Sequence, residues 1–154
     1  FKLARKSSLM KADMHMQEAI RQAQKSLSEG GIPIGSVLVK EGVAIAAGHN
    51  QRVQLNNPIL HGEMDCLTQA GRLGSFHDTT IYSTLMPCYM CAGTIVQFGI
   101  KKVIVGESRN FEGARAFMES HGVEVVDLDL PECIGMMEEF IKEKPELWNE
   151  DIGK

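Results

Sequence analysis

The chain has no apolar run long enough to cross a membrane, and its opening, FKLARKSSLMKADM, lacks the apolar core of about 7 to 15 residues that marks a secretory signal. Both absences lead to the expectation of a cytoplasmic protein. Cysteine is scarce, four in 154 residues. In a reducing compartment a close pair of cysteines points to a metal site or a redox catalyst rather than a structural disulfide. Positive charge is not in excess either: 16 Lys and Arg stand against 20 Asp and Glu, for a net charge of -4. Holding a nucleic-acid backbone takes clustered cations on one face, so this balance favours a small partner and no nucleic acid. The one basic cluster, Lys2, Arg5, Lys6 and Lys11, has no aromatics among it and reads as a solvated helix start. Repeats, low-complexity stretches and linkers are missing, so residues 1–154 are expected to form a single domain. With 44% hydrophobic positions, the chain has enough apolar surface for an ordinary core.

What is present alternates between two periodicities. Residues 11–29 place Met16, Ala19, Ile20, Ala23 and Leu27 at helical spacing before Gly30 and Gly31. Two short apolar runs, 34–40 and 43–48, are separated by Glu41-Gly42 and predict an antiparallel hairpin. A helix is expected from near His61, followed by strand 79–84, helix 88–98, strand 102–105, helix 112–120, strand 123–127 and helix 131–143. Strand and helix in alternation imply parallel strands with right-handed crossovers between helical layers. The expected fold is α/β, a three-layer α/β/α sandwich around a mixed five-stranded sheet.

The stretch LMPCYMCAG puts Cys88 and Cys91 three positions apart, directly after Pro87. At a helix start this spacing aims both sulfurs at one point, and the first-turn amides and helix dipole favour the thiolates that zinc binds. Proline is tolerated at a helix entrance because its fixed φ and missing N–H do little harm there. Cys-x-x-Cys between strand and helix is equally the layout of a thioredoxin-like redox site. The stretch LHGEMD upstream separates the two readings, since His61 and Glu63 begin another helix. His-x-Glu followed by Pro-Cys-x-x-Cys is the signature of zinc-dependent base deaminases. Three ligands, His61, Cys88 and Cys91, leave a fourth tetrahedral position open, as catalytic zinc requires, and Glu63 is left to move protons. His61 must then be the helix cap, because residues two apart diverge on a regular helix. Were Cys66 a fourth ligand, the zinc would be structural. Cys66 lies about 140° around the helix from His61 and neighbours Leu67 and Ala70, so it reads as a core thiol, as does Cys133. His15, His49, His77 and His121 lack ligand spacing.

Taken with the flanking stretches GGIPIGSVLV, GHNQR, AGRLG, IVGESRNF, HGVEVV and ELWNEDIGK, these motifs make the chain resemble the fungal-type cytosine deaminases, within the cytidine and deoxycytidylate deaminase superfamily. The zinc motifs identify the superfamily; GHN, NF and W..EDIG narrow it to enzymes of free bases. The resemblance implies a homodimer, one Zn2+ per chain, and hydrolysis of cytosine to uracil and ammonia in pyrimidine salvage. A zinc-activated hydroxide would attack C4, with Glu63 as proton shuttle. It also implies that the Asn50 amide binds polar ring-edge atoms, the Gly62 amide binds the C2 carbonyl, Phe111 and Trp148 wall the ring, and Asp151 accepts from the exocyclic amine. Met86 departs from the family, which usually has serine before Pro-Cys; a thioether donates no hydrogen bond.

Other functions remain open on sequence alone. Isocytosine, guanine or creatinine would suit the same chemistry. A tRNA or single-stranded nucleic-acid deaminase conflicts with the acidic balance, and a structural zinc module gives Glu63 no purpose.

Overall fold

The structure, a computed structural model, describes residues 12–154. The basic cluster Lys2, Arg5, Lys6 and Lys11 lies outside the described residues. Helix α1, Met14–Ser28, starts where the Asp13 side chain accepts the backbone amides of His15 and Met16, which sets the boundary inside the expected 11–29. The hairpin β1, Gly35–Lys40, and β2, Val43–His49, turns on Glu41 (φ 51) and Gly42 (φ 77). Two successive left-handed residues give the turn a twist that matches the strands, as the Glu-Gly pair predicted. A register shift beside Leu38 and Val39 bulges the pair.

Helix α2, Gly62–Ala70, leads to β3, Thr79–Ser83; α3, Tyr89–Gln97, to β4, Lys102–Val105; and α4, Arg115–Ser120, to β5, Glu124–Asp127. Helices α5, Pro131–Glu143, and α6, Pro145–Asp151, follow. The sheet order is β2-β1-β3-β4-β5, with β1 antiparallel to both neighbours and β3, β4 and β5 parallel. This is the expected mixed five-stranded sheet, and the parallel β4–β5 pair is the one that helix 112–120 predicted. That helix begins three residues late because Gly113 holds φ +62, outside helical space.

Side chains alternate across the sheet with the period of two. Leu38, Ile81 and Val103 face α2, α3 and α4 together with Cys66, Ile95 and Met118. Val37, Val39 and Tyr82 face α1 and the start of α5 through Met16, Ile20, Leu130 and Cys133. The sheet thus sits between two helical layers. A third cluster, Ile32, Ile34, Leu85, Met137, Phe140 and Trp148, fastens α5 and α6 over one end of the sheet. Close approach shapes the sequence at Gly35, where an added Cβ would lie 2.0 Å from the Ala19 carbonyl oxygen and push α1 off the sheet.

Candidate active site

Two helix starts meet at that end of the sheet. His61 is the N-cap of α2 and Cys88 that of α3; both are extended, with ψ of 165° and 177°. A cap residue is free of the helical rotation, so His61 and Glu63 can converge on one point although they lie two positions apart. Pro87 stands one residue ahead of the cap, and its carbonyl oxygen accepts the Ala114 amide at 2.9 Å, tying the entrance of α3 to α4.

His61, Cys88 and Cys91 bring one ligand atom each within 4.8 Å of one another, a grouping that no other His, Cys, Asp or Glu side chains form among the described residues. A tetrahedral zinc, with bonds of about 2.3 Å to sulfur and about 2.0–2.1 Å to nitrogen, holds those atoms about 3.6 Å apart. Cys88 Sγ and His61 Nδ1 are 3.5 Å apart. The donor set and its spacing fit zinc. The other ring nitrogen, His61 Nε2, stands 3.5 Å from Asp151 Oδ1, as metal-ligating histidines commonly face a carboxylate.

Charge is arranged to match. A hydrogen bond from the Cys91 thiol, against the opposing effect of burial and with help from His61, brings Cys88 down to about 4. That same bond and burial push Cys91 up. For His61, burial works downward, but the Cys88 hydrogen bond and the charges of Asp151 and Glu63 outweigh it. Glu63 is 4% exposed, and burial followed by the Cys88 charge raises its carboxyl to about 7. A group at that value gives and takes protons readily near neutrality. Burial also raises Asp151, opposed by His61, Asn50 and Arg52.

Above these groups is a small recess lined by Ile34, His61, Glu63, Leu85, Met86, Cys88, Phe111, Trp148 and Asp151. Phe111 and Trp148 meet edge to face, with centroids 5.7 Å apart. Six of the sequence-predicted residues therefore line one recess. Asn50 is not among them: its Nδ2 donates to Asp151 Oδ1 at 3.0 Å and its Oδ1 accepts the Arg52 amide at 3.1 Å, so it stands behind Asp151. Gly62 opens α2 beside the recess, and its amide has no partner within the helix. Cys66 lies in the core, donating to the Ala46 carbonyl oxygen at 3.7 Å, and burial raises its thiol to about 12.

Sequence reasoning missed Ile34 and Leu85, whose apolar character looked like ordinary strand packing, and Arg52, whose Nε is 3.8 Å from Asp151 Oδ1. Arg52 was legible only as part of GHNQR. A wider, open groove between Leu67, Leu73, Phe76 and Phe98 holds no comparable cluster of titratable groups among the described residues.

Residues 10–107 match the family model described as the cytidine and deoxycytidylate deaminase zinc-binding region. The chain is 51% identical over 142 residues to a cytosine deaminase of Candida albicans, covering 90% of this chain and 95% of that one. It is 37% identical over 148 residues to a tRNA-specific adenosine deaminase of Streptococcus pyogenes, covering 88% and 93%. Among solved structures, a guanine deaminase from Nitrosomonas europaea shares the fold with a TM-score of 0.68 at 19% identity, over 82% of each chain.

Proposed function

The chain belongs to the cytidine and deoxycytidylate deaminase family, and from that membership we propose that it hydrolyses the amino group of a free pyrimidine base, converting cytosine and water to uracil and ammonia. The observation that carries the reading is the roof. Trp148 and Asp151 of α6, with Phe111, cover the recess beside His61, Glu63 and Cys88. Two aromatic side chains and a carboxylate close in on it, a lining that suits one small planar ring.

His61 through Nδ1, Cys88 and Cys91 would hold one zinc ion per chain, which when bound makes water a nucleophile at neutral pH. Glu63 takes a proton from the attacking water and delivers it to ring nitrogen N3. It then takes the second proton from the oxygen now bonded to C4 and passes it to the amine, which leaves as ammonia while the C4 carbonyl forms, so one carboxylate is base and acid in turn. Asp151 accepts from the exocyclic amine through Oδ2, because Oδ1 is engaged by Asn50. Asn50 has a second amide hydrogen for the ring edge, and the Gly62 amide binds the C2 carbonyl. Phe111 and Trp148 hold the ring plane and exclude water. Met86 lines the recess without a donor, so ring recognition falls to Asp151, Asn50 and Gly62.

The protein acts as one domain in cytoplasmic pyrimidine salvage, as a homodimer. Loop residues Val53, Leu55 and Ile59, with Tyr89 at the start of α3, are exposed apolar side chains that support a second copy as partner. The 37% identity to tRNA-specific adenosine deaminases favours a second reading, a base still attached to a polynucleotide. The covered recess and the net charge of -4 weigh against it. The test is ammonia release by zinc-loaded protein from cytosine, cytidine, isocytosine, guanine and a tRNA anticodon stem-loop. Turnover of cytosine with refusal of cytidine supports the proposal; preference for the RNA or the nucleoside overturns it.

A further inference from the structure

Glu107 is 0% exposed, yet it does not line the recess. Burying a carboxylate is unfavourable unless hydrogen bonds require it there. This one accepts two bonds from a single neighbour, the Asn110 backbone amide on Oε2 and Asn110 Nδ2 on Oε1, both at 3.0 Å. Burial raises the Glu107 carboxyl, with the Asn110 bonds pulling the other way. The second Asn110 Nδ2 hydrogen goes to the Ile134 carbonyl oxygen at 3.0 Å, in the first turns of α5. Asn110 is thus clamped from two sides, and the next residue is Phe111. The intervening residues are pinned as well: Ser108 donates to Asp127, and Arg109 makes two 2.7 Å bonds to Asp129.

The main chain of Glu107 serves a second lining residue. Its carbonyl oxygen accepts the Met86 amide at 3.0 Å. One buried residue therefore fixes the backbone of Met86 and, through its side chain, the loop that presents Phe111 to Trp148. We infer that Glu107, acting through Asn110, is a positioning residue that sets the Phe111 wall against Trp148 and thereby the affinity of the recess for a planar ring. The affinity part rests on the reading of the recess as a base site; the wall geometry does not.

Trp148 is the chain's one tryptophan, so its fluorescence reports the wall directly. In Glu107→Gln an amide N–H faces an Asn110 donor, and one of the two bonds is lost. In zinc-loaded full-length protein, Glu107→Gln should red-shift Trp148 emission and make it more accessible to acrylamide. It should raise KM for cytosine about tenfold while kcat stays within about twofold. Asn110→Ala, which keeps the buried carboxylate, should move both readouts the same way and decides the matter if Glu107→Gln does not fold. Unchanged emission in folded variants overturns the inference, as does a fall in kcat with KM and emission intact. If the parent protein does not turn over cytosine, the proposed function fails, and the emission measurement alone decides the role of Glu107.

Discussion

The floor and the roof of the recess are built on different principles. The floor is two helix caps, His61 and Cys88, each set by the few residues around it and anchored to the central strands. The roof is a seven-residue helix and one loop, held by contacts between distant parts of the chain; Asn50 and Asp151 are 101 positions apart. On the proposed function, local geometry carries the chemistry and long-range packing decides which molecule meets it. Floor changes should abolish the reaction outright, and roof changes should alter what the protein binds.

The largest effect is expected from the floor. His61→Ala or Cys91→Ala should leave protein without stoichiometric zinc and ammonia release at background, measured by metal analysis and a coupled assay. An active, metal-free variant would break the comparison at its base. Glu63→Gln comes next: zinc stays, because Glu63 is outside the ligand set, and kcat falls about 10²- to 10⁴-fold. Loss of the metal in this variant would move Glu63 among the ligands.

Asp151 sharpens the division because it belongs to both regions. Its Oδ1 faces His61 Nε2 below and takes the Asn50 hydrogen bond from beside it. Asp151→Ala should lower kcat/KM for cytosine about 10- to 100-fold by leaving an amine donor unpaired. It should also make zinc about 10-fold easier to strip with a chelator, since the ligand loses its orienting carboxylate. Chelator resistance equal to the parent would confine Asp151 to the roof. The smallest effect is Cys66→Ala, which should keep the metal and the activity and cost about 1 kcal/mol in chemical denaturation.

The floor was legible in the sequence for the reason that it is local. His-x-Glu requires a cap, Cys-x-x-Cys requires a helix start, and Glu41-Gly42 requires a tight turn; each found its expected conformation. The roof was legible only as a resemblance. Helix α6 escaped notice because seven residues show no periodicity, although Pro145 at its start was a usable signal. Its order comes from burying Trp148 among Phe140, Ile32 and Leu85, which no local pattern announces. Asn50 was expected on the ring edge and is found bonded to Asp151, because a side chain's partner 101 positions away is not written in its neighbours. The burial of Glu107 likewise depends on partners that its own neighbours in sequence do not announce.

The separation between Asn50 and Asp151 also orders events during synthesis. Translation proceeds from the N-terminus, and segments that are already complete can fold before later ones emerge. Everything that makes the floor, through Cys91, is translated before residues 145–151. On the proposed function, a nascent chain can therefore bring His61, Cys88 and Cys91 together while they still face open solvent, where a cation has an unobstructed path to them. The ribosome delivers the cover after the candidate ligands, so on the proposed reading a cation can reach them before the recess is covered.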